Sequence, residues 1–586
     1  MRNYKEEYHY WLNSSNLSEE ERRELYSIKN NKEEIESRFF EPLKFGTAGL
    51  RGTMKLGLHH MNVHVIRHVT QAFANVISAE GDDAKNKGVV IAYDSRLNGT
   101  EYAREAASVI AANGIHVRIF DAIRPTPELS FAVLHYGCAA GLNITASHNP
   151  KDYNGYKVYW SDGAQLPPKY ADAIAKQMEQ IDIFTEFKSY QFDKAMASGL
   201  IEWIGEETDE AFLKATLGMA IDTETVKKVS DDFKIVFTPF HGCGHKLVPA
   251  ALKRIGIKYL YSVPEQMVID GNFPTVISPN PENPEGYSLA IQLAEQMGGN
   301  LIIGTDPDSD RVGIMVRQGV DYEFISGNQV GVLLLDYIIQ AKKRAKTLPE
   351  NAGVLASIVT TMMARVICEA NGIHFEETFT GFKFMAERVS RWNTTRSYSY
   401  ILAFEESHGY MMGDHVRDKD AISASVLIAE MAAYYHLKGM TLLDALEILY
   451  ERYGYYAEHT VNLMMPGLDG ITRMKKIMDN LRSNPPLQIA GEKILRLRDY
   501  LDGSITIAGS GKADKTPFSG SNVLYFELAD GSSYIIRPSG TEPKIKVYML
   551  VCGKSQRDCA VKIQKYNKFT ETISEFGSKT TQKDCQ

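Results

Sequence analysis

A chain of 586 residues is long enough for about three or four domains. With 44% hydrophobic residues, 24% charged residues and a formal net charge of −8, it excludes binding to nucleic acid through a general basic surface. A local basic pocket for a small anion remains compatible with that charge. No apolar run approaches the roughly 20 residues that a bilayer-spanning helix needs, so no membrane association is expected. The first 25 residues are acidic and helix-like and do not read as a secretory signal. Cys138, Cys243, Cys368, Cys552, Cys559 and Cys585 include no CxxC pair and read as reduced thiols of a cytoplasmic protein.

Residues 1–40 predict helices with charged faces ahead of the core, followed by a glycine-rich turn from Phe45 to Gly52. The chain then alternates. Val89–Tyr93 predicts a buried parallel strand, Glu101–Asn113 a helix closed by Gly114, and Ile115–Phe120 and Gly141–Thr145 two further strands. A second round has strands at Lys234–Thr238, Lys258–Ser262 and Asn300–Gly304, with helices at about 245–255 and 287–297. A third has strands at Val354–Val359 and Tyr400–Phe404 and a long helix at about 423–435. The fold class is therefore α/β: three related α/β domains with mixed, mostly parallel sheets. A smaller C-terminal α+β domain follows, with a hairpin around Asp530-Gly531 and a further strand at Lys544–Leu550. The expected boundaries are 1–215, 216–330, 331–465 and 466–586, with a hinge near 455–485. Residues 480–520 are read as rich in proline, glycine and charge.

Two motifs lie just past predicted strands, where open α/β sheets bind ligands. Asp306-Pro-Asp308-Ser-Asp310-Arg311 offers three carboxylates at alternate positions, which share one side of an extended segment. That is a socket for Mg²⁺, a hard cation with oxygen ligands. An EF-hand needs Gly at position 6 and Glu at position 12, and here Arg311 and Arg317 stand there. Arg311 is placed to hold a phosphate facing the metal. Thr145-Ala-Ser147-His148-Asn-Pro150 supplies a hydroxyl in a turn, with His148, Lys151 and Lys157 close by. A serine needs a base to become a nucleophile, and Lys157 is the candidate acid or base. Together the two motifs suggest phosphoryl transfer through a phosphoserine. Glu405-Glu-Ser407 suits hydrogen bonding to sugar hydroxyls. Arg537-Pro-Ser539-Gly540-Thr541 suits a phosphate cradle. Gly509-Ser-Gly-Lys512 is too short and badly spaced for a Walker A loop, and no complete G-x-G-x-x-G follows a strand, so a nucleotide-driven kinase is not expected.

From about residue 40 onward the chain resembles the α-D-phosphohexomutases, the phosphoglucomutase/phosphomannomutase family. The resemblance is carried by Gly46-Thr-Ala-Gly-Leu-Arg51-Gly, Thr145-Ala-Ser-His-Asn-Pro, Asp306-Pro-Asp-Ser-Asp-Arg, Glu405-Glu-Ser407 and Arg537-Pro-Ser-Gly-Thr-Glu-Pro, in the family's order. It implies four domains around a central cleft, Ser147 as the phosphoserine, and Mg²⁺ on Asp306, Asp308, Asp310 and a phosphoserine oxygen. It further implies Lys157 as general acid/base and Arg51, His148 and Arg311 near the phosphoserine. Glu405 and Ser407 then hold sugar hydroxyls, and Arg537, Ser539, Gly540 and Thr541 hold the non-reacting phosphate. Thr380-Gly381-Phe-Lys383 resembles the family's domain-three loop, and Lys419 another phosphate contact. The Glu-Glu-Ser loop and the long N-terminal segment resemble the bacterial phosphoglucomutase branch related to phosphopentomutases. His408 has no clear counterpart.

The activity this implies is exchange of phosphate between O1 and O6 of glucose, with glucose 1,6-bisphosphate as intermediate and activator. The partners are small sugar phosphates, and the chain is expected to be a monomer or homodimer. Phosphopentomutase or glucose-1,6-bisphosphate synthase activity on the same scaffold is the alternative. A non-catalytic sugar-phosphate sensor and a metal-dependent phosphatase are the readings from other classes.

Overall fold

The computed structural model describes residues 2–465, 470–509, 511–539 and 544–573. The chain forms two compact units. The first holds the chain up to Leu355 and again Gly381–Leu443; the second holds Ala356–Thr380 and the chain from Asp444 onward.

The first unit begins with three short helices, α1 (Tyr4–Leu12), α2 (Glu19–Ser27) and α3 (Lys32–Phe39). The side chains of Asn3, Ser18 and Asn31 accept from first-turn amides to start them. Their charged faces are as expected, but they do not stand ahead of the core. Trp11, Leu25 and Phe39 are buried in the same apolar cluster as the helix Val63–Ala79 and the strand Val89–Tyr93. Trp11 meets Phe39, His64 and Phe184 edge-on at 5.0 to 5.7 Å. Trp11→Ala is expected to cost about 3–5 kcal/mol of stability, read as a fall in the denaturation midpoint.

Behind these helices lies a six-stranded sheet. Val89–Tyr93 and its neighbours Ala140–Ile144 and Val117–Phe120 are parallel, and Ile201–Ile204 extends the parallel part. Val89–Tyr93 and Ala140–Ile144 are buried at every position, which is why they read as unbroken apolar runs. The other edge is antiparallel: Tyr153–Trp160 returns along Ala140–Ile144, and Leu50–Thr53 pairs outside it. A second sheet repeats the plan. Lys234–Thr238 lies between Tyr259–Ser262 and Leu301–Thr305, parallel to both, and Val312–Gln318 and Asp321–Ile325 complete an antiparallel edge. In the third block Ser399–Glu405 doubles back as Gly409–Met411, ahead of the buried helix Ala421–Leu437.

The second unit is built on an antiparallel sheet. Tyr455–Met464 pairs along its whole length with Lys544–Gly553, followed by Ser533–Pro538, Leu524–Leu528 and Glu492–Asp499. Tyr455–Met464 is an edge strand of this sheet. The stretch 480–520, read as proline- and glycine-rich, contains the strands Glu492–Asp499 and Ser504–Ile507. Helices Gly470–Ser483 and Gln556–Glu571 contribute Ile477 and Tyr566 to a core with Phe526, Tyr534 and Val547.

Candidate active site

The carboxyl ends of the parallel strands in the first unit place two loops face to face. Ser147 follows Ala140–Ile144, and Asp306 follows Leu301–Thr305 directly. Ser147 Oγ donates to Asp306 Oδ2 at 3.0 Å. Both loops contain a non-glycine residue in the left-handed region, Ser147 at φ 55° and Ser309 at φ 53°. Such conformations cost on the order of 1–3 kcal/mol and persist where the surroundings over-determine them.

Arg96 over-determines the serine loop. Its buried guanidinium donates to the carbonyl oxygens of Ser147, Asn149, Pro150 and Tyr153 at 2.5 to 2.9 Å. Asp94 stands 3.4 Å from Arg96 Nε and accepts from Thr145 Oγ1 at 2.6 Å, and Thr145 Oγ1 in turn accepts from the Ser147 amide. Burial pushes the Asp94 carboxyl up to about 6, against the pull of Arg96. No motif spacing points to Arg96, because its contacts lie some fifty residues away. Arg96→Ala removes one partner of a buried pair and is expected to cost about 3–5 kcal/mol, measured by chemical denaturation.

The three carboxylates converge, though not by alternation along an extended segment. Residues 306–310 form a turn, in which the amides of Asp310 and Arg311 donate to Asp306 Oδ1 at 3.1 and 3.0 Å. The neighbouring loop backs this turn: Cys243 N donates to Pro307 O, and a Cβ on Gly242 would lie 2.4 Å from Pro307 Cα. One ligand oxygen from each aspartate lies within 4.8 Å of the others, and all three residues are buried. Asp308 Oδ1 and Asp310 Oδ1 have no hydrogen-bond donor among the described residues. Burial raises the Asp306 carboxyl well above its ordinary value, and Asp310 and Asp308 add to the shift. A buried group of carboxylates with free oxygens fits a hard divalent cation.

Lys157, on Tyr153–Trp160, reaches Asp308 Oδ2 at 2.8 Å and Asp310 Oδ2 at 3.7 Å. Burial alone would raise Asp308; Lys157 overrides it and holds that carboxylate far below its usual range. Lys419 Nζ lies 2.7 Å from Asp310 Oδ2. Here Lys419 is thus the second cation on the carboxylate turn. The Arg311 guanidinium donates to Glu282 at 2.6 Å, a partner absent from the sequence motifs. His148 Nδ1 is 3.2 Å from Ser147 Oγ. Burial and the guanidinium groups of Arg311 and Arg51 hold that imidazole well below its ordinary value, so it is neutral. Arg51 donates to Asn149 Oδ1 at 2.9 Å.

Glu406, Ser407 and His408 form the turn between Ser399–Glu405 and Gly409–Met411, with Glu405 at the end of the first strand. This turn adjoins the carboxylate loop: Arg311 bridges to Gly409, and Val312 N donates to His408 O at 3.1 Å. Glu405 accepts from the Gly381 amide, and Lys383 donates to Thr47. His408 is buried against Phe324, and burial lowers its imidazole to about 4. Thr380, Arg537 and Ser539 belong to the second unit. There Arg537 stands opposite Lys546 in the strand pairing, so two cations share one face beside Ser539, whose amide donates to Lys544 O. Lys546 was not among the sequence candidates, although its alternation with Lys544 is a signal for it. Gly540 and Thr541 lie outside the described residues.

Comparison with known proteins accounts for this arrangement. Models of the phosphoglucomutase/phosphomannomutase α/β/α domains I, II and III match residues 42–183, 210–319 and 326–453. A phosphoglucomutase of Staphylococcus saprophyticus is 33% identical over 542 residues, covering 92% of this chain and 95% of the relative. A phosphoglucomutase of Staphylococcus aureus is 35% identical over 539 residues, covering 90% and 94%. The chain belongs to the phosphoglucomutase/phosphomannomutase family. Among solved structures, the phosphoglucomutase parafusin of Paramecium, in an open form, aligns with a TM-score of 0.67 at 19% identity, covering 92% of this chain and 96% of that one. A Thermus thermophilus protein described as a putative phosphomannomutase aligns at 0.66 and 20%, covering 91% and 99%. These structural likenesses speak for the fold. Among the described residues, no helix is long and apolar enough to cross a membrane.

Proposed function

We propose that this chain is an isomerase with phosphoglucomutase activity, interconverting α-D-glucose 1-phosphate and glucose 6-phosphate through phosphorylated Ser147 and glucose 1,6-bisphosphate. The observation that carries the reading is Ser147 Oγ against Asp306, beside carboxylate oxygens that Lys157 and Lys419 only partly neutralise. The whole-length similarity to relatives named phosphoglucomutase favours glucose over a pentose.

Asp306, Asp308 and Asp310 would hold Mg²⁺, which supplies positive charge for the phosphoryl oxygens when bound. Ser147 carries the phosphoryl group and offers it to the free sugar hydroxyl. Lys157, held by Asp308 and Asp310, would move the proton of the reacting hydroxyl. Arg311 and Arg51 place guanidinium charge near the phosphoryl oxygens. Glu405 and Ser407 accept and donate hydrogen bonds to sugar hydroxyls. Arg537, with Ser539 and Lys546, has the chemistry to hold a phosphate that does not react. Thr380, Gly381 and Lys383 are read as further substrate contacts.

The test compares turnover of glucose 1-phosphate and ribose 1-phosphate at equal concentration with Mg²⁺, with and without glucose 1,6-bisphosphate. Faster glucose conversion, stimulated by the bisphosphate and lost on chelation, is the expected result. Faster ribose conversion would move the reading to a phosphopentomutase.

A further inference from the structure

The Asp308 carboxylate takes its support from outside its own loop. The helix Thr126–Tyr136 starts directly against it. The Thr126 amide donates to Asp308 O at 2.8 Å, and Thr126 Oγ1 donates to Asp308 Oδ2 at 2.8 Å. A carboxylate only accepts, so the Thr126 hydroxyl must spend its one proton on Asp308. Its lone pairs then face Asn143, whose Nδ2 lies 2.7 Å away and donates to it. The chain of donors runs Asn143, Thr126, Asp308. Thr126 and Asn143 are both fully buried. Asn143 stands directly opposite Lys157 in the pairing of Ala140–Ile144 with Tyr153–Trp160, and Lys157 occupies the same Oδ2 at 2.8 Å. One strand pair therefore supplies both partners of that oxygen, one directly and one through Thr126. Asp308 Oδ1 is left without a donor among the described residues.

We propose that Thr126 is a positioning residue for divalent-metal binding: with Asn143 behind it, it fixes the Asp308 carboxylate so that Oδ1 alone is presented to the cation. The inference rests on the metal reading of the three aspartates given above and adds which oxygen binds and what orients it. Without the Thr126 hydroxyl, the ammonium of Lys157 is the one donor left on Oδ2 among the described residues, and the carboxylate is free to rotate about its Cβ–Cγ bond. Partners that orient a metal ligand are typically worth about 10- to 100-fold in metal affinity.

The test is Mn²⁺ binding to the full chain, followed by the loss of the free-ion electron paramagnetic resonance signal, with no turnover required. Wild type should bind one Mn²⁺ and Asp308→Asn should lose it. Thr126→Val, which keeps the shape and removes the donor, should bind Mn²⁺ about 10- to 100-fold more weakly. Thr126→Ser, which restores the hydroxyl, should return toward wild-type affinity. Asn143→Leu should also weaken binding, and it carries the test if Thr126→Val does not fold. Wild-type affinity in folded Thr126→Val, or in Asn143→Leu if that variant must stand in, would overturn the inference and leave the metal reading intact. Absence of Mn²⁺ binding by wild type, or its retention by Asp308→Asn, would overturn the metal reading and the inference with it.

Discussion

Replacing Ser147 with alanine is expected to lower conversion of glucose 1-phosphate by roughly 10⁴-fold or more, the scale on which enzymes lose a nucleophile. The phosphoryl group is assigned to Ser147 alone. The hydroxyl of Ser147 lies 3.0 Å from Asp306 Oδ2 and 3.2 Å from His148 Nδ1. The substitution removes one hydrogen bond to Asp306 and leaves the Arg96 clamp, which grips backbone carbonyls, in place. The stability cost should therefore be only about 1 kcal/mol, and the loss of turnover cannot be blamed on unfolding. A coupled assay for glucose 6-phosphate, run beside a thermal melt, checks both halves. Retained turnover in Ser147→Ala would contradict the phosphoserine cycle.

Lys157→Gln is expected to have the next largest effect, in two separable ways. Lys157 is buried and paired with both Asp308 and Asp310. Deleting its charge leaves those carboxylates with Lys419 as their remaining close lysine. Breaking a buried pair from one side typically costs about 3–5 kcal/mol, read as a lower denaturation midpoint in chelator. The loss of a positioned proton carrier should lower kcat by about 10²- to 10⁴-fold. The two effects part company when Mg²⁺ is added. A bound cation stabilises the folded state by mass action, so the midpoint should recover while kcat does not. A variant that recovers both would reduce Lys157 to a counter-charge.

How far the sequence carried this account depended on how local each signal was. The strands Val89–Tyr93 and Leu301–Thr305 were legible because a strand buried on both faces of a parallel sheet is a continuous apolar run. The position of Asp306 just past a strand end followed from the second of these runs, and that of Ser147 from the run ending at Thr145. The triplet Asp306, Asp308 and Asp310 was legible as a cluster but misread in shape. Amide donation to Asp306 Oδ1 and a left-handed Ser309 wind it into a turn, and spacing alone does not report that. Tyr153–Trp160 is absent from the predicted strands, and inside it Gly155 serves a close approach, with a would-be Cβ 2.4 Å from Thr145 O. The N-terminal helices showed their charged faces plainly, but nothing local said that Trp11 would meet Phe184. Arg96, Thr126 and Glu282 were invisible for the same reason: each acts on a loop remote in the chain, and only the folded sheets bring them there.

The most direct test of the central claim is the covalent state of the enzyme. The full chain is incubated with glucose 1,6-bisphosphate and Mg²⁺, its intact mass is measured, and the modified peptide is mapped. The protein is then challenged with excess glucose 1-phosphate. The account predicts the mass of one added phosphoryl group, located on Ser147, which exchanges with the sugar phosphates on the challenge. A turning-over enzyme that never carries phosphate, or carries it on a residue other than Ser147, would contradict the account.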